Sequence, residues 1–284
     1  MARFDPDWLT AQYDTRAAVP DYALFFERWT RGSEIARERV SRRLDIAYGP
    51  SPAETLDVFP SARAAAPVLV FIHGGWWRAF DKSQHSFIAP PFTREGALVV
   101  VPNYGLAPAV TIETIVLQLV QALAWVYRNA ALYGGDPQRI VVAGHSAGGH
   151  LAAMLLSCAW PAVATDLPAR LVAGALSISG LFDLEAMRQT PPLQADLRLT
   201  PASVRRLSPA GFAAPIGPLY ATVGADESEE FRRQTTLMRA RWGASAVPVC
   251  ETIPGAHHFS VLDDFIDPHG RLHGLALRLL GLAV

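Results

Sequence analysis

Five short runs in this chain are almost continuously apolar and rich in β-branched residues: PVLVFI (67–72), GALVVV (96–101), RIVVAG (139–144), LVAGALSI (171–178) and LYATVG (219–224). A strand with one wet face alternates between apolar and polar residues; one buried on both faces has no reason to. Stretches with apolar residues every three or four positions lie between and after them. TIETIVLQLVQALAWVYRNA (111–130) is the clearest, followed by AGGHLAAMLLSCA (147–159), EEFRRQTTLMRARW (229–242) and the tail GRLHGLALRLLGLAV (270–284). Strands alternating with helices predict an α/β chain: a mainly parallel sheet with helices on both faces. AVPVCETI (246–253) closes the series. LDIAYG (44–49) and TLDVFP (55–60), split by Gly-Pro-Ser-Pro, predict an antiparallel hairpin ahead of it, which makes eight strands.

One domain of 284 residues accommodates all of this. The first forty residues carry Tyr22, Phe25, Phe26 and Trp29 at helical spacing, then the charged EIARERV. They predict one or two helices lying on the larger body, with most of the aromatics as core contacts. The proline-rich stretch 184–215 breaks the strand–helix rhythm and is expected to be a cap-like excursion over the site rather than a separate domain.

Hydrophobic residues make up 50% of the chain, charged residues 18%, and the net charge is −1. That balance gives no reason to expect a nucleic acid or an anionic membrane as partner. The unbroken apolar runs are too short to cross a bilayer, and MARFDPDWLT is charged without the apolar centre of a secretory signal. Cys158 and Cys250 stand in no metal-like or redox-like spacing and are expected as free thiols of a reducing, cytoplasmic compartment. The partner expected is a small molecule; a homodimer is left open. No cofactor is called for, and the scattered histidines have no metal-ligand spacing.

In such sheets ligands bind beyond the carboxyl ends of the strands, so the chemistry is sought there. After 139–143 comes Gly144-His145-Ser146-Ala147-Gly148, a G-x-S-x-G with a helical pattern behind it. This is the setting of a nucleophile elbow: a sharp turn that lifts Ser146 to the top of the sheet, with the Ala147 N–H opening the next helix. A second motif, His73-Gly74-Gly75, ends the run 67–72. Its glycines let bare backbone N–H groups approach a substrate carbonyl, the second half of an oxyanion hole. His73 is expected to organise that loop rather than to act as a base. Trp76 and Trp77 are candidate pocket walls suited to an aryl or acyl group, although core packing is expected for at least one of them.

An acid and a base should follow in the order serine, carboxylate, histidine. Asp226 stands just past the run 219–224; Asp183 is the rival, and Asp226 is preferred because the last strand and its histidines come next. Glu227, Glu229 and Glu230 are expected in the acidic first turn of the following helix. His257 and His258 are both candidates for the base, and spacing alone does not choose between them. His269 and His273 are expected at the surface.

These residues together resemble the α/β-hydrolase superfamily and, more narrowly, its kynurenine formamidase (arylformamidase) branch, related to hormone-sensitive-lipase-like esterases. The resemblance runs through YDTRAAVPDY, LDIAYG, FIHGGWW, VPNYGLAP, GHSAGGHLAAMLL, SGLFDL, GADESEEF and GAHHFSVLDDF. It implies an α/β-hydrolase fold with an eight-stranded sheet and a small cap. It implies Ser146 as nucleophile, Asp226 as acid, His258 as base, and Gly74, Gly75 and Ala147 as oxyanion donors. Trp76, Trp77, Tyr104 and His145 are the pocket residues expected around them. The family often has tyrosine where this chain has Trp76, which alters pocket polarity. The reaction implied is hydrolysis of an N-formyl aryl amide such as N-formylkynurenine through an acyl-enzyme. A carboxylesterase for small aryl or short-chain esters is the alternative, and a non-catalytic ligand-binding member of the fold is a third reading.

Overall fold

The computed structural model describes residues 5–282; the first four residues of the N-terminal segment and the last two of the tail lie outside that range. Eight strands form one sheet in the order β1-β2-β4-β3-β5-β6-β7-β8. They are β1 (Arg43–Ala47), β2 (Thr55–Phe59), β3 (Ala66–Ile72), β4 (Leu98–Pro102), β5 (Gly135–His145), β6 (Val172–Ile178), β7 (Leu219–Gly224) and β8 (Val249–Ile253). β2 runs antiparallel to β1 and to β4; every other pairing is parallel. This is the mainly parallel, eight-stranded α/β sheet that the strand–helix alternation predicts.

Side-chain alternation divides the centre of the sheet between two cores. Val68, Val70 and Ile72 of β3, Leu98 and Val100 of β4, and Ile140 and Val142 of β5 face one layer. Leu69 and Phe71, Val99 and Val101, and Val141 and Ala143 face the other. Both sets are buried because successive Cβ atoms point to opposite faces and both faces are covered. That is the physical reason these strands read as unbroken apolar runs.

The helices are α1 (Pro6–Tyr13), α2 (Thr15–Ala18), α3 (Tyr22–Arg39), α4 (Ala89–Arg94), α5 (Ile112–Asn129), α6 (Ala147–Leu156), α7 (Trp160–Val163), α8 (Glu185–Arg188), α9 (Pro191–Leu197), α10 (Pro201–Leu207), α11 (Glu229–Ala246), α12 (Val261–Ile266) and α13 (Arg271–Leu280). The first layer takes its cover from α5, α6 and α11; the second from α3, α4, α12 and α13. The stretch Ile112–Tyr133 has the length and composition to cross a bilayer. Here Ile115, Leu119, Leu123 and Val126 of α5 are buried in the first core.

The N-terminal segment is three helices rather than one or two. Asp5 caps α1 and Asp14 caps α2, each side chain accepting a backbone N–H at the start of its helix. Arg37 of α3 fastens that helix to the sheet. Its guanidinium donates to Asp57 of β2 at 2.8 Å, and the other oxygen of Asp57 accepts from Lys82 Nζ at 2.7 Å. The excursion 184–215 contains α8, α9 and α10. His273, expected at the surface, is instead fully buried on α13, because it faces α4 and α12: its ring is stacked on Phe92 at 4.6 Å and its Nδ1 lies 3.2 Å from Phe265 O. His269 is exposed.

Candidate active site

Ser146 sits between β5 and α6 with φ 57° and ψ −119°. A non-glycine residue in that region is strained and persists only where the surroundings hold it. Its own N–H donates to Ile178 O of β6 at 2.8 Å, which pins the turn to the neighbouring strand. Gly148 is needed for closeness: a Cβ there would lie 2.1 Å from Ile72 O, so any larger residue would push α6 off β3. The hydroxyl thus stands at the carboxyl end of the sheet, where β3 and β5 open.

A continuous hydrogen-bonded chain runs from this hydroxyl. Ser146 Oγ lies 3.1 Å from His258 Nε2, and His258 Nδ1 lies 2.6 Å from Glu227 Oε2. The other oxygen of Glu227 accepts from Gly224 N at 2.8 Å and from the Ser179 hydroxyl. All three members are buried, and the Phe231 ring lies 4.6 Å from the imidazole.

The carboxylate is therefore Glu227, not the expected Asp226. After β7 the chain turns tightly: Asp226 N donates to Ala256 O and Glu227 N to Gly224 O. That turn leaves the Asp226 side chain exposed and swings Glu227 inward beneath the histidine loop. Glu227 also lies before the first turn of α11, which begins at Glu229, so it is not part of the acidic helix start. The only sequence signal was a second carboxylate next to the first. Asp183, the rival, is held by its backbone on the Gln234 amide of α11, with its carboxylate 3.7 Å from Arg233.

Of the paired histidines, it is His258 that faces Ser146. His257 turns outward as a loop residue: its N–H donates to Ser260 Oγ at 2.9 Å, and its Nδ1 accepts from the backbone of Phe259 and Ser260.

Gly74 and Gly75 lie across from the serine. A Cβ on Gly74 would come within 3.1 Å of Ser146 Cβ, and Gly75 has φ +100° with Ala79 O 2.3 Å from where its Cβ would be. Among the described residues nothing accepts from the N–H groups of Gly74, Gly75 or Ala147. The loop beyond is strained as well, with Trp76, Trp77 and Phe80 all at positive φ. His73 secures it. Its Nδ1 lies 2.9 Å from Gly74 O, its ring is stacked on Tyr104 at 4.3 Å, and the Tyr104 hydroxyl donates to His73 O at 2.8 Å. Burial lowers the His73 pKa, so the ring stays a neutral strut.

A cavity of about 430 Å³ opens over Ser146 and His258. Trp76 forms one wall, edge-on to Tyr13 at 5.6 Å, while Phe26, Trp29, Phe80 and Phe259 form the other. His145 borders it too, its Nε2 held on His258 O at 2.8 Å; burial, then the neighbouring His258, push its pKa well down. Two expected pocket residues are elsewhere. Trp77 is fully buried against His150 at 5.0 Å in the sheet core, the packing expected for one of the pair. Tyr104 is buried behind the glycine loop, where it holds His73. The excursion 184–215 supplies Thr190, Pro192 and Leu193 to the roof; the share of α1 and α2, which supply Thr10, Tyr13 and Thr15, was not foreseen. Phe26 and Trp29 of α3 are thus cavity walls as well as core contacts.

The BD-FAE family profile matches residues 56–167, the span that holds both glycine motifs. Kynurenine formamidase from Danio rerio is 30% identical over 259 residues, 88% of this chain and 86% of that protein. The chain belongs to the kynurenine formamidase family. A crystal structure from a Silicibacter species, described as a candidate thioesterase, superposes with a TM-score of 0.81 at 29% identity, covering 93% of this chain and 97% of that one. Esterase LipQ of Mycobacterium tuberculosis is 36% identical over 126 residues, 42% of this chain and 30% of that protein. The chain is accordingly an enzyme, a hydrolase of the α/β-hydrolase fold.

Proposed function

We propose that this enzyme hydrolyses N-formyl aryl amides of the N-formylkynurenine type, with Ser146 as nucleophile, His258 as base and Glu227 as acid. The observation that carries the reading is the unbroken Ser146–His258–Glu227 hydrogen-bond chain opening into an aromatic cavity. Glu227 accepts at His258 Nδ1, so Nε2 is left to take the serine proton as the oxygen attacks the formyl carbon. The N–H groups of Gly74 or Gly75 and of Ala147 receive the developing oxyanion; losing one such donor costs about 3 kcal/mol of barrier. The imidazolium then gives its proton to the departing aryl nitrogen, without which an amide anion would have to leave. Water, deprotonated by the same imidazole, attacks the formyl-serine ester; as the ester C–O bond breaks, the imidazolium returns that proton to Ser146 Oγ and formate leaves. The two thiols, Cys158 and Cys250, are both unpaired, which supports a reducing compartment such as the cytoplasm.

The likeness to esterases favours one second reading, hydrolysis of small aryl or short-chain esters. Comparing kcat/KM for N-formylkynurenine and for p-nitrophenyl acetate separates the two. Formamide turnover that disappears in Ser146→Ala is the expected result; turnover of the ester alone would overturn the formamidase reading.

A further inference from the structure

Apart from histidines, three charged side chains border the cavity: Asp14, Arg16 and Arg78. Their situations differ. The Arg78 charge is already answered, since its guanidinium donates to Asp196 and to Pro192 O of α9. It ties the glycine loop to the excursion. Asp14 caps α2 with one oxygen, Oδ1, which accepts from Ala17 N at 3.0 Å. Arg16 makes no ion pair among the described residues. Its guanidinium lies over the rings of Tyr22 and Phe26, at 5.3 and 5.8 Å, and Phe26 is itself a cavity wall.

An exposed arginine with no anion normally points into bulk water, where it is fully solvated. This one is laid along an aromatic wall at the mouth of the cavity. The rings hold the guanidinium by a cation–π contact that uses none of its N–H donors, so the fork is left to meet a planar anion. A carboxylate fits that fork with two parallel hydrogen bonds. Asp14 stands two residues away at the α1–α2 corner and presents the opposite sign. A group bearing a carboxylate and an ammonium on one carbon matches the pair; a neutral acyl or aryl ester leaves both unused.

We propose that Arg16 binds the carboxylate of an α-amino acid head on the substrate, with Asp14 facing its ammonium group, and thereby determines specificity within the aromatic cavity. The aryl ring lies between Trp76 and Phe26, the formyl group reaches Ser146, and the amino-acid head remains at the roof. This rests on the formamidase reading, and it makes the N-terminal segment part of substrate recognition.

The test compares wild type, Arg16→Gln and Arg16→Lys. The first readout is the ratio of kcat/KM for N-formylkynurenine to that for p-nitrophenyl acetate. It should fall by about tenfold or more in Arg16→Gln, chiefly through KM, and be partly restored in Arg16→Lys. The second readout does not depend on formamide cleavage: kynurenine as a competitive inhibitor of ester turnover. Its inhibition constant should rise by a similar factor in Arg16→Gln, and inhibition of wild type should weaken with added salt. A wild type that cleaves only esters overturns the formamidase reading, and the inhibition arm still decides the role of Arg16. Failure of kynurenine to inhibit wild type, or an Arg16→Gln inhibition constant within about threefold of wild type, overturns this proposal.

Discussion

A glutamate beneath the imidazole has one more methylene than an aspartate, and the β7 turn is shaped to accommodate it. Asp226 takes the backbone contact to Ala256 O and faces solvent, while Glu227 reaches inward to Ser179, Gly224 N and His258. Two adjacent carboxylates thus have opposite fates, and mutation distinguishes them. Glu227→Gln keeps the shape but removes the charge that orients Nδ1–H, and should lower kcat by about 10³–10⁴. Asp226→Asn should leave kcat within about twofold, as expected for an exposed side chain. Steady-state kinetics on any substrate the wild type cleaves checks both, and the reverse ranking would return the acid role to Asp226. Nothing in the string DESEE separates these residues, because the separation is made by a turn whose partner, Ala256, lies thirty positions on.

At the scale of elements, α3 gives the site one of its walls and is fastened to the sheet by buried charge. Asp57 of β2 is fully buried and receives Arg37 of α3 on one oxygen, with Lys82 and the Asp45 backbone on the other. Lys82, itself 3% exposed, also reaches the Asp45 carboxylate at 2.5 Å. Removing one member of a buried ionic group strands the others in a medium that solvates them poorly. Asp57→Ala should therefore destabilise the fold by about 3–5 kcal/mol, read from the urea unfolding midpoint. The sequence legibly marked the strand and the helix that carry Asp57 and Arg37. It did not mark their meeting, since ion pairs across twenty residues leave no periodicity.

For the molecule as a whole, the carboxyl edge of the sheet is crowded with neutral histidines. Burial lowers His85 to about 3, with His73 beside it adding to the effect, and lowers His150 to about 4. His73 and His145 are shifted the same way, again chiefly by burial. In the unfolded chain these imidazoles take up protons below about pH 6.5, while the folded protein keeps them neutral. The unfolded state then binds more protons, so stability is fully present above about pH 7 and falls as pH drops from about 6.5 towards 4 and below. His85 and His150 each contribute a slope of about 1.4 kcal/mol per pH unit across that window. Urea midpoints measured from pH 8 to pH 4.5 check this, and a flat profile would show that the rings are protonated in the folded state.

The sequence by itself determined the sheet, because burial on both faces writes itself into each strand as an unbroken apolar run. It also marked Ser146 and the Gly74-Gly75 loop, because a tight turn and a close backbone approach each demand glycine at fixed local spacing. The tertiary structure alone decided the rest. Choosing Glu227 over Asp226 depends on which way a turn faces, and sending Trp77 into the core while Trp76 lines the cavity depends on the strained path of one loop. Roofing the site with α1 and α2 depends on contacts across more than two hundred residues, such as Tyr13 on Glu230. Local rules act over a few positions, and these outcomes are set by chain segments that meet only after folding.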